Sequence, residues 1–337
     1  MVLVNCAVLL VFVITVAAFL IWAERKVAAR IQDRLGPTRV GGRFGWLQSV
    51  ADAIKVLTKE DIIPTQADPI LFRTAPYLAF VAAFSWYIAL PFSRNLVPAR
   101  LEVAALFLLA VGSLEIYAIL LGGYASGSKW SLIGGMREAV QVISYEIPLA
   151  LCLAVPVILS GTMDLVAIGE HQRGGIWSWF MFRNPFSFLA FWVYVTAATA
   201  SLNRAPFDLP EAESELVSGY MTEYSGFRWG AFMLSEYIAM FAISLLGAIV
   251  FLGAWYGPIP LTQPFGFGSD SANGFDDLLG ALTVGMKAML GVIVMIWVRW
   301  SLPRLRIDHV MTVCLKYCMP LAAAAFVGTL LWQTVFS

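Results

Sequence analysis

The sequence is poor in charged residues, which make up 13% of its 337 positions. Soluble globular proteins carry about 25% charged and about 45–50% apolar residues. Here 60% of the residues are hydrophobic, so the charged side chains are too few to cover a water-facing surface of this size. The composition excludes a soluble enzyme and predicts an integral membrane protein.

An excess of charge of either sign is also missing. The chain has 22 Lys and Arg against 22 Asp and Glu, and its formal net charge is zero. Domains that bind nucleic acid carry a basic excess or a basic patch. The charge balance therefore argues against nucleic acid as a partner.

Cysteine and histidine are scarce: the chain has His171, His309 and the four cysteines Cys6, Cys152, Cys314 and Cys318. The cysteine spacings match neither a zinc site nor an iron–sulfur motif. We expect four buried, unreactive thiols. A haem inside a helical bundle commonly needs paired histidines, whereas both histidines lie in polar stretches. We predict no metal site and no redox cofactor on this chain, so any electron carrier belongs to a partner.

Long apolar runs are abundant. A membrane-spanning helix needs about 20 apolar residues, and the segments that meet this requirement are Val2–Ala23, Thr74–Phe92, Val103–Tyr124, Ala139–Ser160, Pro185–Leu202, Trp229–Trp255, Leu278–Val298 and Tyr317–Val335. Because backbone groups in lipid must be satisfied internally, we predict an all-α, polytopic helical membrane protein with about eight transmembrane helices. Residues 1–337 form one domain without visible repeats. Leu165–Ile168 and Ile176–Phe182 are candidates for a ninth, peripheral helix.

Lys and Arg are concentrated in alternate connections between these spans. Seventeen of the 22 fall on one side, four on the other, and Lys287 lies within a span. The positive-inside rule therefore predicts that the N-terminus lies outside. The first apolar run lacks a preceding basic segment, so we expect a retained helix rather than a signal peptide.

The longest predicted inner connection covers residues 24–73. Its apolar residues at helical spacing are Trp46, Leu47, Val50, Ile54 and Leu57, which predict an amphipathic helix. Two interpretations stay open for this helix. It is either an anchor on the membrane surface, or a docking platform at the lip of a ligand crevice.

The predicted inner connection at residues 201–228 is acidic. Asp208, Pro210 and Glu211 are typical of a helix N-terminus. Capping does not explain Glu215, which follows Glu211 by four residues, where like charges repel. Other carboxylates fall inside spans, where an Asp costs roughly 2.5–3.5 kcal/mol on insertion scales, and are functional candidates for that reason. The carboxylates that could form a proton path are Glu115, Glu146, Glu211, Glu213, Glu215, Glu223 and Glu236.

Five blocks of the chain together resemble one family. They are Glu24-Arg25-Lys26 with Gln32-x-Arg34-x-Gly36-Pro37, Asp52-x-x-Lys55 with Lys59-Glu60-Asp61, Lys129 through Tyr145-Glu146, Asn203 through Tyr224, and Arg299 through Pro320. In order and spacing they resemble the quinone-chamber membrane subunit of respiratory complex I, which is the H-subunit family of NADH-quinone oxidoreductase. The run Pro206-Phe207-Asp208-Leu209-Pro210-Glu211-Ala212-Glu213 is the most specific of these motifs.

The resemblance implies a multi-pass protein of the bacterial inner membrane, with the mitochondrial inner membrane as the alternative. It implies quinone as substrate, reached from the bilayer through a crevice, and no redox cofactor on this chain. FMN and iron–sulfur clusters would lie on peripheral-arm partner subunits, and the other partners would be membrane-arm subunits and lipids. The implied quinone-chamber residues are Glu24, Arg25, Arg34, Asp52, Lys55, Glu60 and Arg299. The implied proton route comprises Glu146, Glu211, Glu213, Glu215, Glu223 and Glu236. We add Asp208, Tyr145 and Glu115 as further candidates for that route.

Several positions depart from the family pattern: Thr38, Ser201, Leu202, Ile307 and His309. Residue 201 is Ser where many members have Glu, so one carboxylate of the implied route is missing, and Glu115 is a candidate replacement.

Two other functions stay open. A homologous subunit of a membrane-bound hydrogenase or a formate-hydrogenlyase-type complex would need no quinone crevice. A stand-alone proton or cation transporter often shows inverted repeats, which this sequence lacks.

Overall fold

The computed structural model describes residues 2–209, 218–257 and 274–336, and these ranges contain helices but no strands. The helices are α1 (Val2–Ile31), α2 (Gln48–Thr58), α3 (Pro69–Ala89), α4 (Ala104–Ala125), α5 (Lys129–Ser160), α6 (Leu165–Glu170), α7 (Phe180–Arg183), α8 (Pro185–Ser201), α9 (Gly226–Phe251), α10 (Gly274–Ser301), α11 (Ile307–Thr312) and α12 (Met319–Phe336). A π-helical segment, Val313–Cys318, joins α11 to α12. Turns of 3₁₀-helix lie at Ile176–Ser178 and Gly219–Met221.

Each of the eight predicted spans overlaps a helix. The described helices that are long and apolar enough to cross a membrane are Asn5–Ile31, Ala104–Ala125, Lys129–Ser160, Gly226–Phe251, Gly274–Ser301 and Ile307–Val335. Helix α3 has sufficient length at 21 residues but is less apolar, and α8 is apolar but only 17 residues long. The prediction of a polytopic helical membrane protein is confirmed. Of the eight predicted spans, the one in α3 is less apolar than six of the others, and the one in α8 is shorter.

Two helices extend well past the predicted span boundaries on the predicted inner side. Helix α1 continues to Ile31 instead of ending at Ala23, and α5 begins at Lys129 instead of Ala139. Charged residues end an apolar run but not a helix, because Glu, Arg, Lys and Ala are all good helix formers. The first part of the predicted 24–73 connection is therefore a rigid continuation of α1.

Helix α9 forms the centre of the bundle. Every residue from Tyr237 to Phe251 is buried, and the helix packs against α1, α3 and α10. The outer helices expose apolar side chains, such as Val11 on α1 and Leu290 on α10, as expected of surfaces that face lipid. Cys6 on α1 is also exposed, so the prediction of four buried thiols is wrong there. The cause is that apolar residues of a peripheral membrane helix turn outward.

The region between α5 and α8, where a ninth peripheral helix is predicted, contains only the short helices α6 and α7 and one 3₁₀ turn. Gln172, just after α6, joins this region to the end of α9. Its Nε2 atom donates to the Ile249 carbonyl oxygen at 2.9 Å, and its Oε1 atom accepts from the Gly253 N–H at 2.9 Å. The short helices therefore pack against the core rather than cross the membrane.

Lys287, the cation within a predicted span, caps the end of α9. Its Nζ atom donates to the carbonyl oxygens of Leu252 at 2.6 Å, Ala254 at 2.7 Å and Tyr256 at 2.6 Å. The ammonium group also lies 4.5 Å from the centroid of the Trp179 ring. Because the C-terminal end of a helix carries partial negative charge, a cation stabilises it. The partners of Lys287 are therefore backbone carbonyls, which no sequence pattern identifies.

Candidate functional site

Three charged side chains from distant parts of the chain meet at the predicted inner end of the bundle. Arg299, in the last turn of α10, donates from Nη1 to Glu24 Oε1 at 2.6 Å. Arg204, which follows α8, donates from Nη1 to Glu24 Oε2 at 3.2 Å. Glu24 and Arg204 are each 5% exposed. A buried carboxylate needs such partners, because an unpaired buried charge costs several kcal/mol.

Arg204 also contacts a second carboxylate. Its Nη2 atom lies 3.8 Å from Glu236 Oε2, and its guanidinium carbon lies 4.5 Å from the centroid of the Tyr237 ring. Tyr220 donates from its hydroxyl to Glu236 Oε1 at 3.4 Å. One guanidinium therefore connects Glu24, a predicted chamber residue, with Glu236, a predicted proton-route residue. We call Glu24, Arg204, Glu236 and Arg299 the inner charge cluster.

Arg204 is a site residue that the sequence patterns do not mark, because it counts there as one of many inner cations. A signal is nevertheless present, since Arg204 is the only basic residue between positions 201 and 227. Arginine is almost never fully buried unless it is paired. Only the structure shows that Arg204 is buried and that its guanidinium group contacts the carboxylates of Glu24 and Glu236.

Glu138 on α5 is a second buried group that sequence reasoning missed, at 3% exposed. Asn203 donates from Nδ2 to Glu138 Oε1 in a short hydrogen bond. Gln141, also on α5, donates from Nε2 to the carbonyl oxygens of Ala200 and Phe207, each at 2.8 Å. These bonds hold the start of the acidic connection against α5. They position Arg204, the residue that follows Asn203 in the chain.

A second pair of predicted chamber residues lies at the surface of the same end. Arg25 on α1 donates to Asp52 on α2, and Gln48 donates from Nε2 to Asp52 Oδ1 at 3.1 Å. The rings of Trp22 and Trp46 stack with their centroids 4.4 Å apart. These contacts hold α2 against the extended end of α1. The large apolar side chains of α2 that are exposed are Val50, Ile54 and Leu57.

The remaining chamber candidates, Arg34, Lys55 and Glu60, are exposed. Within the described residues none of them forms an ion pair with the inner charge cluster. The backbone near Glu60 is instead tied to the start of α9, because its carbonyl oxygen accepts from Ser225 Oγ at 3.2 Å. The structure therefore brings together Glu24 with Arg299 and Arg25 with Asp52, but not the other three.

The predicted proton-route residues lie in several places. Glu236 belongs to the inner charge cluster, whereas Glu115 on α4 and Glu146 on α5 line one cavity of about 40 Å³. Tyr145 is fully buried and donates from its hydroxyl to the Val310 carbonyl oxygen at 2.9 Å. Its hydroxyl is thus bonded to the α11 backbone.

Asp208 is 3% exposed and accepts from Arg304 Nη2 at 2.8 Å. Glu223 is partly buried, in the segment between the Gly219–Met221 turn and α9. Glu211, Glu213 and Glu215 lie outside the described residues, as does the helix that Asp208 is predicted to cap. The acidic connection is therefore described only at its two ends.

The charged side chains of this site can bind charged groups and can transfer charge. Within the described ranges, no group of three or more His, Cys, Asp or Glu side chains is arranged to hold a metal ion.

In the connection before α9, Tyr224 stacks on Phe72 with ring centroids 4.1 Å apart. Burial raises the pKa of Tyr224 well above its ordinary value, although Arg228 opposes that shift. Buried carboxylates and arginines that share partners can bind a polar group and respond to a change in its charge.

Known proteins of similar sequence cover nearly the whole chain. Residues 4–330 match the family model described as NADH dehydrogenase. The chain is 43% identical over 336 residues to the NADH-quinone oxidoreductase H subunit of Anaeromyxobacter dehalogenans, covering 97% of this chain and 80% of that protein. It is 42% identical over 336 residues to the protein of the same name from Chlorobium luteolum, covering 98% and 89%. The identity to the Geobacillus kaustophilus protein is 44% over 323 residues, covering 96% and 91%.

Proposed function

Because this chain belongs to the NADH dehydrogenase family, among the H subunits of NADH-quinone oxidoreductase, we propose that it forms the quinone chamber of that enzyme complex. In this proposal quinone enters from the bilayer at the end where α1, α2 and α10 meet. Partner subunits of the peripheral arm carry FMN and iron–sulfur clusters and deliver electrons to the quinone headgroup. The membrane is the bacterial inner membrane.

The observation that carries the proposal is the position of Arg204 between Glu24 and Glu236. Reduction of a quinone to a quinol takes up two electrons and two protons. The chamber therefore gains negative charge when the electrons arrive before the protons or when chamber residues supply the protons. Charges interact several-fold more strongly in a protein of low dielectric constant than in water. A change in charge near Glu24 therefore alters how strongly Arg204 interacts with Glu24 and with Glu236. In this way the chamber acts on Glu236, where the proposed proton route begins.

We assign the further steps of the route to carboxylates deeper in the chain. Coupled carboxylates share protons and titrate as a group, so a change at one is passed to the next. In the proposal Glu236 communicates with Glu115 and Glu146 within the bundle. Glu223, Asp208 and the undescribed Glu211, Glu213 and Glu215 supply the connection to the inner surface. Tyr145, bonded to the α11 backbone, holds α5 in place rather than carrying protons.

The surface features of the same end support docking of a peripheral arm. Helix α2 exposes Ile54 and Leu57 beside Lys55, so it presents an apolar stripe and charges together. A helix of this kind suits a boundary between lipid, a partner subunit and the tail of a quinone. Arg25 and Asp52 fix its position relative to α1. We therefore propose that α2 forms one wall of the crevice, with other membrane-arm subunits and lipids as neighbours elsewhere.

The experiment that tests the function is substitution of Arg204 in the assembled complex. We expect Arg204→Ala to lower quinone-dependent NADH oxidation about tenfold, equivalent to about 1.4 kcal/mol in the barrier, and Arg204→Lys to retain part of the rate. The exposed Arg306, on the same end of the molecule, provides the matched control Arg306→Ala. NADH oxidation with an artificial electron acceptor reports assembly and is expected to stay unchanged. Normal quinone reduction and proton pumping in Arg204→Ala would contradict the proposal.

A further inference from the structure

An open cavity of about 390 Å³ lies at the predicted outer end of the bundle, away from the inner charge cluster. Its walls come from the connection between α3 and α4, residues 90–103, and from the end of α6. The polar side chains that line it are those of Arg94, Asn95, Arg100, Glu170 and His171. Pockets for small ligands commonly measure about 300–1,000 Å³. The cavity is therefore large enough to hold a small polar group.

The arginines of this cavity are unusual for their side of the membrane. Of the 22 Lys and Arg residues, the four predicted to lie outside are Arg94, Arg100, Arg173 and Arg183. Two of these four line the same cavity. Lys and Arg are concentrated on the inner side of membrane proteins. Two arginines that meet on the opposite side therefore call for an explanation by their partners.

Each of the two arginines lies beside a carboxylate of the α6 region. Arg100 donates from Nε to Asp164 Oδ2 at 2.9 Å, and its Nη2 atom lies 2.8 Å from the same oxygen. Arg94 Nε lies 3.7 Å from Glu170 Oε1. The side chains of Arg94 and Arg100 are 46% and 67% accessible, and ion pairs this exposed contribute little to stability. A purely structural role therefore explains little of their presence.

Both a donor and an acceptor for a ligand are available at the cavity. A guanidinium group has five N–H donors, and Asp164 engages those on Nε and Nη2 of Arg100, which leaves Nη1 for another partner. Glu170 is partly accessible, and its Oε2 atom accepts from the Tyr256 hydroxyl at 3.0 Å, which holds the carboxylate in place. One cavity thus offers a cation for an anionic group and a carboxylate for a cationic group.

The charges of the described residues around the cavity balance. Arg94 and Arg100 are matched by Asp164 and Glu170, and His171 is formally neutral at pH 7. A ligand with a net negative charge is attracted by two arginines but repelled by two carboxylates. A zwitterion can instead direct its anionic group to the arginines and its cationic group to Glu170, so that both form charge-assisted hydrogen bonds. The site therefore favours a zwitterion over an anion.

The cavity lies at the level expected of lipid headgroups. Helix α3 ends at Ala89 and α4 begins at Ala104, so the connection between them marks the predicted boundary of the hydrocarbon layer. The same connection exposes the apolar side chains of Leu96 and Val103. Trp177, which follows α6, is also exposed, and Trp is enriched where membrane meets water. A ligand with a polar head and apolar chains fits these surroundings.

We propose that this cavity binds the headgroup of a phospholipid of the phosphatidylethanolamine class. The recognised chemistry is a phosphodiester that carries a primary ammonium group. The phosphate accepts from Arg100 beside the positive charge of Arg94, and the ammonium group donates to Glu170. The bound lipid joins the α3–α4 connection to α6. The inference goes beyond the proposed function, because the site lies at the other end of the bundle and takes no part in quinone chemistry.

The test is site-specific photolabelling of the assembled complex in phosphatidylcholine vesicles. The probe is a small fraction of phosphatidylethanolamine with a photoreactive group next to its glycerol, and mass spectrometry identifies the labelled peptides. Unlabelled phosphatidylethanolamine, phosphatidylglycerol and water-soluble glycerophosphoethanolamine serve as competitors. The variants are Arg94→Gln/Arg100→Gln and Glu170→Gln. The matched control is Arg183→Gln, at an exposed arginine on the same predicted side and outside the cavity lining.

We expect the probe to label the 90–103 connection, and phosphatidylethanolamine to displace it at about tenfold lower concentration than phosphatidylglycerol, as one charged hydrogen bond predicts. Arg94→Gln/Arg100→Gln is expected to lower this labelling about tenfold, and Arg183→Gln to leave it unchanged. Glu170→Gln is expected to remove the preference between the two lipids. Unchanged labelling in the double variant, or equal displacement by both lipids in the unsubstituted complex, would overturn the proposal.

The soluble competitor distinguishes a lipid from a free headgroup. Glycerophosphoethanolamine lacks acyl chains, so we expect it to displace the probe poorly, and displacement as strong as that by the lipid would overturn the assignment to phospholipid. NADH oxidation with an artificial electron acceptor reports assembly of the variants. If they assemble poorly, a high-resolution map of the unsubstituted complex in phosphatidylethanolamine decides. Density for a phosphate within hydrogen-bonding distance of Arg100 is expected, and a cavity without it would overturn the proposal.

Discussion

Arg299 donates a hydrogen bond to Glu24 at 2.6 Å, which joins residues 275 positions apart in the sequence. The bond links the end of α10 to the extended part of α1, and Arg204 occupies the other oxygen of the same carboxylate. The two arginines of the inner charge cluster face two carboxylates, Glu24 and Glu236, so their charges balance. Because Arg204 is shared between both carboxylates, a change at Glu24 bears directly on Glu236.

Glu24→Gln is expected to raise the apparent KM for quinone and to lower kcat, together about tenfold in kcat/KM. The amide keeps the shape of the side chain but leaves two guanidinium groups without their shared carboxylate. Steady-state NADH oxidation in membranes, measured over a range of quinone concentrations, checks this prediction. Glu102→Gln, at an exposed carboxylate, is the control. Unchanged kinetics in Glu24→Gln would assign the cluster a purely structural role.

Asp52→Ala and Arg25→Ala are expected to raise the apparent KM for quinone by similar factors. The side chains of Arg25 and Asp52 are 46% and 28% accessible, so the contribution of the pair to stability is about 0–1 kcal/mol. The expected effect is therefore on the position of α2 and not on folding. A double-mutant cycle measures the coupling: the Arg25→Ala/Asp52→Ala variant should resemble either single variant. Additive losses would show that the two residues act separately.

Glu236→Gln is expected to reduce both quinone-dependent NADH oxidation and proton pumping while the complex still assembles. The neutral side chain can still accept from Tyr220, but Arg204 loses one of its two carboxylates. Native gels check assembly, and dye quenching in vesicles measures pumping per NADH oxidised. Asp308→Asn, at an exposed carboxylate on the same end of the molecule, is expected to have no effect. A normal ratio of protons to NADH at a normal rate would refute the role of Glu236.

Lys287→Met is expected to lower thermal stability more than it affects quinone kinetics. The substitution leaves three carbonyl oxygens at the end of α9 without a charged donor, and each unsatisfied buried group costs about 1–3 kcal/mol. The melting temperature of the solubilised complex measures the loss, and Lys316→Met, at an exposed lysine, is the control. Equal melting temperatures in the two variants would show that the cap of α9 is dispensable.

Much of the fold could be predicted from apolarity alone. Runs such as Val103–Tyr124 are bounded by charge or by Gly and Pro, and the structure has a helix at each one. Helix ends were harder to predict, because α1 and α5 continue through charged residues that are compatible with helix. The family resemblance, carried by the blocks around Glu24 and Asp208, is confirmed by the comparisons.

The site was predictable only in part, since side chains from different helices had to meet. The motifs name Glu24 and Arg299, but their contact depends on the packing of α1 against α10. Burial in the structure makes Arg204 and Glu138 candidates. Glu138 has no sequence signal, and the signal for Arg204 is only that it is the single basic residue between positions 201 and 227. Conversely, Arg34, Lys55 and Glu60 are exposed, and their predicted place in a quinone chamber stays a prediction.

The length of α1 sets the height of the proposed chamber over the membrane. Its 30 residues span about 45 Å at about 1.5 Å per residue, whereas the hydrocarbon layer is about 30 Å thick. About 15 Å of helix is thus left over, and it carries Glu24 and Arg25 toward or above the lipid headgroups. The length of α1 therefore determines how far Glu24 lies from the hydrocarbon layer. Under the proposed function, a quinone headgroup that reaches Glu24 leaves the hydrocarbon layer while its tail stays within it, so the length of the tail affects binding as well as the chemistry of the ring.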